Sequence, residues 1–199
     1  MNYTNENKMS REEVVNLIIE NSKDDDIFVS TTGKLSRELF EARERLAQGH
    51  KRDFLTVGSM GHSSMIALAI AKEKKDRRVL CLDGDGAVIM HMGSAAVLGA
   101  NSPANMVHVL INNGAHETVG GVPTVSEKLN YSGIALSCGY TETYLAETPE
   151  EVVEVFKTIQ DKKGLIFVEI KTDISSRADL GRPTTTPIQN RDAFMDYIK

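Results

Sequence analysis

A Gly-Asp-Gly at Gly84, Asp85 and Gly86 follows the apolar run 79–82, and twenty-five residues further on the pair Asn112 and Asn113 follows a second apolar run, 107–111. Asp85 offers a carboxylate and Asn113 an amide oxygen. These are the hard oxygen ligands that Mg²⁺ takes alongside phosphate and water. Both stand just past the expected carboxyl ends of strands, where open α/β sheets bind their ligands. Glycine at 84 and 86 lets backbone approach phosphate oxygens closely. Such types at such spacings suit the holding of a phosphorylated ligand through a divalent cation. A lone Gly-Asp-Gly is an ordinary turn; two apolar runs and the double Asn make the combination specific.

Positioning such a site requires strands that alternate with helices. Strand candidates are 27–30, 54–57, 79–82, 107–111, 141–145 and 164–170. Ser10 with Glu13 reads as a capping box ahead of the helical stripe Val14, Leu17, Ile18. Residues 34–48 form a charged amphipathic pattern, and 63–74 a small-residue helix. One crossover helix is expected from Val88 to about Leu98, then a helix over 130–139 that closes at a Gly C-cap. Thr148 with Glu151 is a second capping box, starting a helix to about Asp161. The alternation predicts an α/β fold, a doubly wound, mostly parallel six-stranded sheet with helices on both faces. Residues 1–199 read as a single domain with a frayed N-terminus over 1–9. Residues 172–199 read as an extended tail, rich in Thr, Pro and Ser to 187 and ending in a short helix over 190–198.

The formal net charge of −5 leaves no footprint for nucleic acid. No apolar stretch is long enough to span a membrane and no signal-peptide pattern opens the chain, so the cytoplasm is the expected compartment. Cys81 and Cys138 sit in apolar surroundings and read as buried thiols rather than a disulfide or metal pair.

From about Asp25 to Lys171 the chain resembles the thiamine diphosphate (ThDP) superfamily, in its C-terminal, diphosphate-binding domain. Three motifs carry the resemblance: Gly84-Asp85-Gly86 with Asn112-Asn113, Gly58-Ser59-Met60-Gly61, and Thr32-Gly33. The resemblance implies that Asp85, Asn113 and the Ala115 carbonyl bind Mg²⁺. It implies that the Gly58 carbonyl accepts from the cofactor's 4′-amino group, and that Met60 wedges the cofactor into a V shape. Thr32 and Gly33 would line the diphosphate. Cofactor contacts are thus expected from Thr32, Gly33, Gly58, Ser59, Met60, Gly84, Asp85, Gly86, Ala87, Asn113, Ala115 and Thr118. In such a site the cofactor carries the difficult chemistry, and protein supplies geometry and electrostatics.

Finer segments, STTGKLSRELFE, DFLTVGSMGHSS, GDGAVIMHMGS, NNGAHETVGGVPT and SSRADLGRPT, resemble the cofactor-binding half of the phosphonopyruvate decarboxylases. The sulfopyruvate decarboxylases, whose two halves are separate subunits, are the runner-up. The implied function is the cofactor-binding subunit or half of a ThDP- and Mg²⁺-dependent 2-keto acid decarboxylase. The expected reaction takes phosphonopyruvate to phosphonoacetaldehyde and CO₂. The alternatives are a sulfopyruvate decarboxylase beta subunit or a non-catalytic ThDP-binding module. A Rossmann-type nucleotide binder is disfavoured because no Gly-x-Gly-x-x-Gly follows the first strand. Nothing in the chain resembles the pyrimidine-binding domain that supplies the activating Glu. A partner subunit carrying that domain, and hence a hetero-oligomer, is therefore expected.

Three histidines stand beside the motifs. Imidazole moves protons near neutral pH or donates to a carboxylate. His116 follows Asn113 by three residues and His62 follows the Met60 turn; both are candidates for substrate chemistry, while His91 falls on the crossover. Glu117 shares the loop of His116. A phosphonate head needs cations, for which Arg is the best fork. Lys34, directly after Thr32-Gly33, is the leading candidate, with Arg37, Arg177 and Arg182 behind it. The tail that bears the last two is a possible lid.

Overall fold

The computed structural model describes residues 9–199. Residues 1–8, most of the terminus expected to fray, lie outside the described residues. Met9 corrects the boundary of that expectation. It is buried at 2% exposure, and its carbonyl accepts from the Asp173 N–H at 3.0 Å.

The elements run α1 (Arg11–Glu20), β1 (Ile27–Ser30), α2 (Lys34–Arg45), β2 (Asp53–Leu55), α3 (Ser63–Glu73), β3 (Val79–Gly84), α4 (Asp85–Met90), α5 (Ser94–Asn101) and β4 (Asn105–Asn112). There follow β5 (Ala115–His116), a 3-10 turn, β6 (Val122–Pro123), another 3-10 turn, α6 (Tyr131–Cys138), β7 (Glu142–Ala146), α7 (Pro149–Thr158), β8 (Gly164–Lys171) and α8 (Pro187–Tyr197). Six strands form one sheet in the order β2-β1-β3-β4-β8-β7, and every pairing is parallel. All eight residues of β4 are buried, as expected of a central strand covered on both faces.

Alternation along the strands divides the core in two. Phe28, Leu80, Leu82 and Val109 face a cluster with α1, α2 and α7. Val29, Cys81, Leu110 and Phe167 face the opposite cluster, with α3, α5 and α6. Cys81 is therefore a buried free thiol and Cys138 a half-buried one. The capping signals work as local chemistry requires. Thr148 and Glu151 complete their box at the start of α7. Ser10 accepts from the Glu13 N–H at 3.1 Å, one half of the box expected there. Gly139 ends α6 in the left-handed region at φ 103°.

Several expected boundaries are corrected. The crossover is two helices, not one, because the chain breaks at residues 91–93: His91 leaves helical geometry at ψ 46°. The second strand stops at Leu55 rather than 57, since Gly58 and Ser59 turn into positive φ. The last helix starts at Pro187, because Thr186 and Gln189 form a capping box that the sequence reading passed over. The antiparallel pair β5–β6 was also not foreseen. The tail is ordered along β2. Asn190 donates to the Asp53 carbonyl at 2.9 Å and accepts from the Leu55 N–H at 3.1 Å, so α8 covers this edge strand.

The order of strands fixes where a ligand belongs. From β1 the chain steps outward to β2; from β3 it steps the other way to β4. The carboxyl ends of β1 and β3 thus flank the point where the winding reverses, the crevice in which such sheets bind ligands. Among the described residues no helix is long and apolar enough to cross a membrane.

Candidate functional site

That crevice is a cavity, and most of the residues singled out by type and spacing line it. Thr31, Thr32 and Lys34 come from the end of β1 and the start of α2. Gly84, Asp85, Gly86 and Ala87 come from the β3–α4 junction, and Asn113, Ala115, His116, Glu117 and Thr118 from the loop after β4. Met60 enters from the β2–α3 turn. Gly33, Gly58, Ser59 and His62 do not line this cavity; Gly33 lines a neighbouring one. His62 instead lies against His91, ring centroids 4.3 Å apart.

The β3–α4 junction is built for close approach. β3 passes directly into α4 with Gly84 as N-cap and no side chain capping the first turn, which leaves backbone N–H groups in need of acceptors. A Cβ on Gly86 would stand 2.5 Å from the His116 ring and 3.3 Å from Met60 Cε, so only glycine lets three segments converge there. The 58–61 turn is held in unusual geometry: Ser59 has φ 46°, uncommon for a residue with a side chain. The Gly58 N–H donates to Thr32 Oγ1 at 3.0 Å, joining two of the sequence motifs.

The loop after β4 is braced from within. Asn112 accepts from the Gly114 N–H at 3.1 Å and from Ser126 Oγ at 2.8 Å, and donates to Glu169 at 2.8 Å. Asn112 thus shapes the loop, while Asn113 faces the cavity. Asn113 Oδ1 accepts from the Ala115 N–H at 3.1 Å, and its Nδ2 donates to Glu117 at 3.1 Å. Glu117 is the hub of an ion network that type and spacing had not revealed. Arg11 and Lys34 both pair with it, and Arg11 also holds Glu38 through bonds of 2.6 and 2.7 Å. Burial pushes the Glu117 carboxyl up, but the bonds and charges of Arg11 and Lys34 outweigh it and hold the group below the usual carboxylate range. Lys34 Nζ, the leading head-group candidate, is engaged by Glu117 at 3.0 Å and Ser176 Oγ at 2.6 Å.

Asp85 contrasts with Glu117. It is buried at 2% exposure, yet among the described residues no basic side chain forms an ion pair with it. Burial raises its carboxyl above the usual range, opposed by the Thr124 hydroxyl and the Gly86 N–H. A buried carboxylate of this kind calls for a cation. Asp85, Asn113 and Ala115 line one cavity, where the carboxylate, the Asn113 amide oxygen and the Ala115 carbonyl would make an all-oxygen donor set, the kind that suits Mg²⁺ rather than a softer metal. Thr31 Oγ1, in the same wall, is buried with no hydrogen-bond partner among the described residues. The residues present therefore fit a divalent cation and a phosphorylated group beside it.

A buried polar group supports the junction from beneath. Cys81, Asp83 and His108 bring their ligand-type atoms within 4.8 Å of one another. Ser63 Oγ donates to Asp83 at 3.0 Å, and His108 Nδ1 meets the Tyr140 hydroxyl at 2.9 Å. Asp83 and His108 carry no apolar periodicity signal, and only the pairing of Cys81 opposite His108 across β3–β4 brings this trio together.

Comparison with known proteins places this geometry in context. Residues 32–170 match the family described as thiamine pyrophosphate enzyme, C-terminal TPP binding domain. The chain is 34% identical over 170 residues to a phosphonopyruvate decarboxylase of Streptomyces viridochromogenes, covering 85% of this chain and 41% of that protein. It is 32% identical over 190 residues to the sulfopyruvate decarboxylase subunit beta of Methanocaldococcus jannaschii, covering 95% of this chain and 97% of that subunit. The chain thus spans less than half the length of the first relative and nearly all of the second. A solved Mycobacterium smegmatis protein described as a thiamin diphosphate-dependent enzyme superposes with a TM-score of 0.69 at 21% identity, over 83% of this chain and 32% of that one. That likeness concerns the fold.

Proposed function

The chain belongs to the thiamine pyrophosphate enzymes, as their C-terminal TPP-binding domain, and from that premise we propose that it is the cofactor-binding subunit of a Mg²⁺-dependent 2-keto acid decarboxylase. The observation that carries the cofactor site is the convergence of Asp85, Asn113 and Ala115 with Thr32 and Gly86 at the winding reversal. Asp85, Asn113 and the Ala115 carbonyl hold the metal. Thr32, Thr118 and the N–H groups of Gly86 and Ala87 orient the diphosphate. Met60, in the cavity wall, would support the bound cofactor, and the Gly58 carbonyl, just outside that wall, would accept from its amino group. Ser59, strained between them, fixes that turn. When bound, the cofactor supplies the electron sink for the loss of CO₂. His116, against Gly86 and facing the cavity, is the group best set to exchange a proton with substrate or to donate to its carboxylate. His62 lies outside the cavity and has the weaker claim.

Phosphonopyruvate is the proposed substrate, with phosphonoacetaldehyde and CO₂ as products. Sulfopyruvate is the second reading, favoured by the near-complete length match to a beta subunit. The same match supports a partner subunit, which would carry the pyrimidine-binding domain and its activating Glu. Exposed apolar side chains on the segments that carry the site residues fit such a partner. Val57 and Val119 are each 71% exposed, and Met90 and Val122 lie open as well. Function in the cytoplasm is the reading that accompanies this assignment. The test is reconstitution with a pyrimidine-binding subunit, scoring CO₂ release from phosphonopyruvate, sulfopyruvate and pyruvate. Activity that appears only on mixing, with phosphonopyruvate preferred, is the expected result. Robust release by this chain alone would refute the subunit assignment, and a preference for sulfopyruvate would move the substrate to the second reading.

A further inference from the structure

The four cations named as partners for a doubly anionic substrate have different fates. Lys34 is neutralised by Glu117. Arg177 is held by Glu12, Glu41 and Asp179. Arg37 and Arg182 form no ion pair among the described residues, and both line a second cavity of about 250 Å³ that contains no carboxylate in its wall. Like charges gathered around one cavity without a counter-ion favour an anion there.

Two further features point the same way. The cavity wall includes Gly33 and Ser36, the opening of α2, a twelve-residue helix whose N-cap makes no side-chain bond. Its positive end therefore faces the same space as the two arginines. Thr185, also in the wall, has a buried hydroxyl with no partner among the described residues. The tail that brings Arg182 here is tied down on both sides. Glu41 accepts from the Gly181 N–H at 2.7 Å and pairs with Arg177, and Asn190 is fixed to β2. Arg182 is thus carried across the carboxyl ends of β1 and β2 by a strap whose other charged groups are already satisfied. Thr32 lines both cavities, so an anion here lies next to the proposed diphosphate.

We propose that Arg37 and Arg182 form the head-group site, binding the second anionic group, phosphonate or sulfonate, of the 2-keto acid. This assignment rests on the decarboxylase reading and specifies its substrate class. A tetrahedral oxyanion offers several oxygens to two planar forks, the geometry in which arginine outperforms lysine. On this view the Glu117–Lys34–Arg11 network positions the loop, and the tail is a specificity element rather than a spacer.

The test is calorimetric titration of the full chain, loaded with Mg²⁺ and ThDP, with methylphosphonate, methanesulfonate and inorganic phosphate. Arg37→Gln, Arg182→Gln and Arg37→Lys are compared with the wild type, and the exposed Arg191→Gln serves as control. Each Gln variant is expected to weaken methylphosphonate binding about tenfold or more, the loss of one charge-assisted hydrogen bond. Arg37→Lys should recover part of it, and Arg191→Gln should leave it unchanged. The ThDP affinity of the same variants is the separating readout. A ThDP affinity that falls in parallel would make this cavity part of the cofactor's own site and overturn the proposal. Equal methylphosphonate binding by wild type and Arg182→Gln would also overturn it. Failure of the wild type to bind ThDP, both alone and mixed with a pyrimidine-binding subunit, would instead refute the cofactor reading on which the proposal stands. Preference between methylphosphonate and methanesulfonate then separates the two candidate head groups, and stronger binding of inorganic phosphate than of either would argue against a substrate site.

Discussion

Gly86 shows how much of the site depends on a single missing side chain. Its ideal Cβ position lies 2.5 Å from two atoms of the His116 ring and close to Met60 Cε. Gly86→Ala must therefore displace the His116 ring, or the loop that carries it, from the β3–α4 junction. Overpacking of this kind costs about 1–3 kcal/mol, roughly five- to a hundredfold in an equilibrium constant. The expected outcome is a ThDP affinity reduced by that factor with circular dichroism unchanged; affinity equal to wild type would show that the loop and junction do not meet as described. Asp85 and Asn113 could be named from the sequence because oxygen-bearing side chains at strand ends are a local feature, and both line the crevice. Arg11 and Glu117 were not legible as a pair. They lie 106 residues apart, and only folding brings α1 against the loop after β4. Lys34 was named for its place beside Thr32-Gly33, and that place is right, but its charge is taken by a residue the sequence could not bring near it.

At the scale of elements, boundaries followed local chemistry wherever a capping residue was read and slipped where one was not. Thr148 and Glu151 began α7 as expected, whereas Thr186 and Gln189, the same device, were overlooked and α8 was placed three residues late. The break between α4 and α5 had no comparable sign beyond Gly93. The packing of α5 on α6 was invisible, since it depends on backbone meeting backbone. A Cβ on Gly99 would lie 1.6 Å from the Cys138 carbonyl oxygen. No rotamer relieves such a clash, so Gly99→Ala should cost about 3 kcal/mol or more. For a domain of this size that is a fall in melting temperature of roughly 6–12 °C. Thermal unfolding followed by circular dichroism checks this, and an unchanged midpoint would mean that the two helices are not in backbone contact.

For the whole molecule, strand–helix alternation was enough to predict a parallel doubly wound sheet, because each period is written in local hydrophobicity. The strand order β2-β1-β3-β4-β8-β7 is a non-local fact, and it explains why the motifs after β1 and β3 share one crevice. The same order puts the turn after β2 beside them, and Met60 of that turn lines the crevice. Two neighbouring cavities that share Thr32 thus gather the oxygen donors and two arginines that form no ion pair among the described residues, and the cofactor site depends on the first of these. The most direct measurement is calorimetry of ThDP binding, with and without Mg²⁺, to the wild type and to Asp85→Ala. The account predicts Mg²⁺-dependent binding by the wild type and its loss in Asp85→Ala, with the circular dichroism of the two proteins superimposable. Undiminished, metal-dependent affinity in Asp85→Ala would contradict it.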